Sequence, residues 1–169
     1  FLSLFILLSG SSSIDENERF LSLLDKEWHY ELSQSPVYAT AMGEKGYETE
    51  WQDLSLEAIN LRKTHSVELL EKVKAFNPKK LTKDNQLNLR LFQQLTEIEI
   101  ETSEYKRHLL PFSHRGGIQL AHEDAEVLPL DTVEDYQNWI GRLKNLDRRI
   151  KQTINLAQIG LDKGYKAPK

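Results

Sequence analysis

Residues 82–108 read TKDNQLNLRLFQQLTEIEIETSEYKRH, and their apolar positions recur at helical rather than strand spacing. Leu87, Leu91, Leu95, Ile98, Thr102 and Tyr105 fall three or four residues apart, which places them on one stripe, with Leu89 and Phe92 flanking it. Thr82 supplies a hydroxyl at the N-cap, so the spacing predicts a helix from Thr82 to about His108, with that stripe facing a core. Ile98-Glu99-Ile100-Glu101 alternates with period two, but four residues do not outweigh a stripe sustained over the whole segment.

The same spacing extends in both directions. Ser13-Ile14-Asp15-Glu16 has capping-box spacing and opens a helix carrying Phe20, Leu23, Leu24, Trp28 and Leu32, ending near Ser33 to Ser35. Pro36 starts a short helix through Met42 that Gly43 closes, and residues 43–53 read as a loop. Asp53 or Ser55 caps a helix bearing Leu54, Ala58, Leu61, Val67, Leu69, Leu70 and Val73, which Asn77-Pro78 breaks. Residues 109–130 interrupt the pattern with Pro111, Gly116-Gly117 and Pro129; so long a connection either has a task or contains short elements of its own. Thr132-Val133-Glu134-Asp135 then opens a helix with Tyr136, Trp139, Ile140, Leu143, Leu146, Ile150, Ile154, Ala157 and Leu161. Read as one rod, it is about 45 Å long at 1.5 Å per residue, the width of a larger domain than this chain supplies. The expected fold is all-α, a bundle of long helices.

Composition narrows the function. The chain has 169 residues, 39% of them apolar. Counted with Gly in place of Tyr that is about 40%, against roughly 45–50% in an average globular domain, so a neighbouring segment or partner is expected to complete the core. With 22 basic and 26 acidic side chains interspersed, net charge −4, no footprint for nucleic acid emerges. The absence of cysteine excludes disulfides, thiol nucleophiles, Cys-type zinc sites and iron–sulfur clusters.

Both ends look cut. Phe1 to Leu8 has seven apolar residues in eight, followed by Ser9-Gly10-Ser11-Ser12-Ser13. This is too short to span a bilayer but fits the end of a secretory signal, so residues 1–13 are expected to be a signal-peptide remnant and 14–169 an incomplete helical region. A buried N-terminal element is the other reading. Leu8-Ser9-Gly10-Ser11 also resembles a lipoprotein box with Ser11 in place of the lipidated cysteine. Membrane association is thus expected only through a signal peptide or a lost lipid anchor. Ala167-Pro168-Lys169, just past Gly164, reads as a truncation point.

Few residues suggest chemistry. His122-Glu123-Asp124-Ala125-Glu126 begins like a zinc-binding His-Glu-x-x-His helix, but Glu126 stands where the second imidazole is needed, so no metal site is assigned. His29 and His65 sit on amphipathic helices, and His108, His114 and His122, six and eight residues apart, match no one-face helical arrangement. Glu97, Glu101 and Glu104 lie on one helical face with Glu99 beside them, and Arg148-Arg149 with Lys151 form a basic run; both read as solvated faces. Neither a Gly-x-Ser-x-Gly elbow nor a phosphate-binding glycine loop is present. No catalytic residue is assigned. The segment singled out is Pro111 to Gly117: paired glycines permit close backbone approach, and His114 and Arg115 could meet a substrate carboxylate, so His114, Arg115, Gly116 and Gly117 are the substrate-cleft candidates. A tight turn between helices is the simpler reading.

The order of these features resembles a known family. Asp53-Leu54-Ser55-Leu56-Glu57-Ala58, Asn77-Pro78 before Leu81-Thr82-Lys83-Asp84, and His108-Leu109-Leu110-Pro111 with Gly116-Gly117 are similar to the N-terminal part of the domain-of-unknown-function 885 (DUF885) family. So are Thr132-Val133-Glu134-Asp135-Tyr136 leading to Trp139 and Leu143, the Gly160 to Pro168 exit, and Ser35-Pro36-Val37-Tyr38-Ala39-Thr40 before Met42-Gly43. The resemblance implies a larger, mostly helical, zincin-like bacterial protein, often exported to the periplasm or cell envelope. It implies a zinc-dependent peptidase acting on peptides through a His-Glu-x-x-Pro-Gly-His helix in the C-terminal half. No position here matches that motif, so this segment would carry no cofactor or catalytic residue. It would form a helical wall of the cleft, completed by the missing C-terminal half of the same chain, with zinc held by the full-length parent. The reading from another class is a stand-alone, non-enzymatic helical binding or scaffolding module. That module expects little exposed apolar surface, whereas the peptidase segment expects exposed apolar patches.

Overall fold

A computed structural model of the chain describes residues 15–113 and 116–166. The signal-peptide reading, Ser13 and the cleft candidates His114 and Arg115 lie outside the described residues. The fold is all-α, with seven α-helices among the described residues: α1 Glu16–Gln34, α2 Pro36–Ala41, α3 Leu56–Lys74, α4 Lys83–Ser103, α5 Asp124–Val127, α6 Val133–Lys144 and α7 Leu146–Asp162. No described helix is long and apolar enough to cross a membrane.

The expected caps fix most boundaries. Ser55 Oγ accepts from Ala58 N at the start of α3, and Thr82 Oγ1 accepts from Asn85 N at the start of α4. Thr132 and Asp135 form a reciprocal capping box on α6. At α1 the N-cap is Asp15, without a side-chain cap bond.

Helices α1, α3 and α4 share one core. Phe20, Leu69, Val73, Leu81 and Leu89 are buried together, with Leu23, Leu24, Phe76 and Phe92 packed against them. The rings of Phe20 and Phe76 meet edge-on at 5.5 Å. The N-terminal turn of α1 also clamps the α3–α4 connection: Asn77 N donates to Glu16 Oε1, while Thr82 N and Asn85 Nδ2 donate to Asn17 Oδ1.

Three expectations need correction. The stripe expected in the core faces outward: Leu87, Leu91, Leu95 and Ile98 on α4 and Tyr105 just past its end are 46–64% exposed, while Leu89 and Thr96 of α4 are buried. The core took the flanking stripe because α1 and α3 pack on that side. Second, α4 stops at Ser103; Lys106 turns left-handed at φ +50°, and a 3-10 turn covers Arg107–Leu109. Third, the single long C-terminal rod is two helices. The chain turns at Asn145, whose Nδ2 donates to Thr49 O at 3.1 Å, and the nearby Arg142 carbonyl accepts the Trp51 indole N–H at 2.7 Å. These tertiary bonds are absent from a periodicity argument. The long 109–130 connection does contain short elements, a 3-10 turn Ile118–Leu120 and α5.

Candidate functional site

The site grows from one position on α6. A Cβ on Gly141 would lie 2.9 Å from Thr49 Cγ2, so glycine lets the 43–54 loop lie directly against this helix. That brings loop carbonyls within reach of the next residue, Arg142, which is fully buried. Its Nε donates to Glu48 O at 2.7 Å, and its Nη2 to Thr40 Oγ1 at 2.6 Å and Tyr47 O at 2.7 Å. The guanidinium carbon sits 5.7 Å from the Trp51 ring. Nη1 is buried without a partner among the described residues. Burial lowers the Arg142 pKa from its ordinary value, and Asp124 is the leading charge opposing that shift.

Arg149 of α7 adds a second guanidinium, 4.6 Å from the Trp51 ring, with Nη1 3.8 Å from Asp124 Oδ2. Burial lowers its pKa as well, again opposed by Asp124. The expectation of a solvated Arg148-Arg149 face therefore fails at Arg149, because Trp51 and Asp124 cover it. Asp124, Val127 and Arg149 border two cavities. One, of about 470 Å³, is walled by Pro36, Val37 and Tyr38. The other, of about 350 Å³, is walled by Gly116, Gly117 and Leu120.

Two of the four cleft candidates thus sit on a cavity wall beside a charged pair. Gly117 has φ +133°, and a Cβ there would lie 2.9 Å from Pro111 O and run into Gln119 Oε1. The turn is held by Ser113 N donating to Gly116 O and by Gln119 Nε2 donating to Ser113 O at 2.7 Å. This arrangement can orient a polar ligand group at Arg149 and Asp124 against apolar walls.

Other titratable groups meet between α1, α3 and α4. His65 Nε2 lies 2.6 Å from Glu27 Oε2, and its ring stacks on Tyr30 at 3.5 Å. Glu99, placed on a solvated face by spacing, is exposed and accepts from Ser66 Oγ at 3.0 Å. Glu104 pairs with Lys63 at 2.6 Å and Glu97 with Lys74 at 3.7 Å, so the acidic cluster fans apart. Burial raises the Glu31 pKa, with Glu99 and Glu27 adding repulsion. His122 and Glu123 lie in the turn before α5. Among the described residues no group of three or more His, Asp or Glu side chains could hold a metal ion, so these residues do not fit zinc.

Arg142, Trp51 and Asp124 are the residues that sequence reasoning missed. The available signal was Gly141 inside a strong helix, one residue before an arginine and two after Trp139.

No curated protein matches the chain by sequence. Residues 36–169, which contain every helix of this site, match the model of a family described as "Bacterial protein of unknown function (DUF885)", and the chain belongs to that family.

Proposed function

We propose that this chain is the N-terminal helical wall of an exported, zinc-dependent DUF885 peptidase of the bacterial cell envelope, with peptides as substrates. The metal site is assigned to the C-terminal half of the parent protein, because the described residues here do not fit zinc. The observation that carries the reading is the outward apolar stripe of Leu87, Leu91, Leu95 and Ile98 on α4, continued by Tyr105 just past its end. Tyr136, Ile140 and Leu143 of α6 and Ile154 and Leu161 of α7 are similarly exposed. A stand-alone module would leave little such surface, since large exposed apolar patches mark interaction sites. The Gly116-Gly117 cavity with Asp124 and Arg149 would line the substrate cleft.

The test is to read the coding sequence past Lys169 and assay the purified product. A frame running on to a His-Glu-x-x-Pro-Gly-His helix, with peptidase activity lost to chelator and absent from residues 1–169 alone, supports the reading. A frame that stops near Lys169, with a native protein of matching mass, overturns it and leaves the helical binding module.

A further inference from the structure

A second cleft, away from the Arg142 site, lies between the start of α3, the end of α4, the 3-10 turn Arg107–Leu109 and the end of α7. Its volume is about 590 Å³, within the range of small-molecule sites. Gly160 makes it possible: a Cβ there would collide with the Leu109 carbonyl, so only glycine lets the 3-10 turn seat on α7. Seating the turn carries Lys106, Arg107 and His108 to the same rim as Lys163.

The charge in this cleft opposes that of the whole chain. Arg62, Lys63, Lys106, Arg107 and Lys163 line it, while Glu99 is the acidic side chain on its wall. Glu104 neutralises Lys63, and Arg62 donates to neutral acceptors, Gln34 Oε1 and Asp53 O. Lys106, Arg107 and Lys163 form no ion pair among the described residues. The C-termini of α4 and α7 offset part of this charge, but each contributes only about half an elementary charge. A positive surplus remains in a protein of net charge −4. Ile59, Ile100 and Ile159 line the cleft as well and give it apolar surface. His108 is also in the lining; burial lowers its pKa, and Lys106, Lys163 and Arg62 push it the same way.

We propose that this cleft binds a small organic anion, a carboxylate or phosphate head group on an apolar body, with Lys106, Arg107 and Lys163 meeting the charge. His108 is the reporter, because an anion beside it favours imidazolium and raises its pKa.

The experiment titrates the chain with N-acetyl-leucine, hexyl phosphate, the neutral N-acetyl-leucinamide and inorganic phosphate, following imidazole and backbone resonances by NMR. At least one organic anion is expected to saturate shifts around His108 on the order of tenfold more tightly than the neutral amide, and to raise the His108 pKa. The tighter of the two identifies the head group. K106Q/R107Q is expected to weaken that binding on the order of tenfold. Both positions are exposed, and an unchanged circular dichroism melt verifies the fold. The site assignment is overturned if neither anion outbinds the amide, or if the double variant binds as before. Inorganic phosphate binding as tightly as the better organic anion overturns the apolar half.

Discussion

Trp51 and Arg142 hold each other twice: the Trp51 indole N–H donates to the Arg142 carbonyl at 2.7 Å, and the Arg142 guanidinium lies 5.7 Å from the Trp51 ring. The loop before α3 is thereby fastened to α6 by one side-chain bond to a backbone carbonyl and one side-chain contact, with Glu48 O accepting from the Arg142 Nε and Thr40 Oγ1 and Tyr47 O from its Nη2.

Replacing Arg142 should loosen all of these at once. Arg142→Met leaves the buried Thr40 hydroxyl and the part-buried Tyr47 and Glu48 carbonyls without this donor, the buried one at about 1–3 kcal/mol and the others at less, so a loss of about 2 kcal/mol is expected in urea unfolding. Arg142→Lys should recover little, because one ammonium cannot reproduce a planar fork toward three acceptors. Tryptophan fluorescence, to which Trp28, Trp51 and Trp139 all contribute, follows the same transition. A loss below about 0.5 kcal/mol for Arg142→Met, the range of ordinary surface substitutions, would show that the loop is held otherwise.

Asp53 ties the start of α3 to α7. Its Oδ1 accepts from Ser55 N and from Gln152 Nε2, both at 2.8 Å, and Gln152 Oε1 accepts from Leu54 N. The Ser55 backbone bond is the main cause of an Asp53 pKa below the ordinary carboxylate value. A carboxylate depressed in the folded state stabilises above its unfolded pKa, and that stability is lost as pH falls through the folded pKa. Unfolding free energy should therefore decline on acidification from neutral pH. Asp53→Asn should lower stability at pH 7 and flatten part of the acid limb, in denaturant titrations across pH. An unchanged acid limb would remove Asp53 from the account.

The helix starts were legible because a cap is a local device: Ser55, Thr82 and Thr132 need only the backbone two or three residues on. Which face of a helix turns inward is not local. On α4 both Leu91 and Leu89 lie on apolar stripes; periodicity favours the longer, whereas α1 and α3 cover the shorter. The break at Asn145 and the burial of Arg142 depend on a loop about 95 residues earlier in sequence, as the Arg142–Tyr47 bond shows. The Gly116-Gly117 turn was legible as a place where backbone must come close, but its neighbours Asp124 and Arg149 were not, since they arrive from other elements.

Gly160 makes the close approach of α7 to the 3-10 turn Arg107–Leu109. Gly160→Ala should favour the isolated helix by roughly 0.5–1 kcal/mol through backbone entropy. Its methyl group would nonetheless press into the Leu109 carbonyl, a backbone atom that cannot rotate away. Overpacking of this kind costs typically about 1–3 kcal/mol, so net destabilisation is expected. Gly164→Ala is a control with open space around the Cβ but φ +79°, which isolates the conformational cost. If Gly160→Ala proves neutral or stabilising by thermal melting, α7 and the turn must separate easily.

The outward stripe of α4 gives the sharpest separation between a chain folded alone and one covered by more protein. Leu91 and Leu95 are 50% and 64% exposed. Truncating a half-exposed leucine removes little buried area, so Leu91→Ala or Leu95→Ala in residues 1–169 should change stability by no more than about 0.5 kcal/mol. In a longer parent protein that packs helices over this face, the same substitution removes a buried side chain and should cost about 2–5 kcal/mol. Leu89→Ala, at 4% exposure, should be costly in both contexts. The three variants, measured in both forms by urea unfolding, separate local packing from covering. Equal small losses at Leu91 and Leu95 in the two forms would leave the stripe solvent-facing in the parent as well, and would remove the main support for the wall assignment.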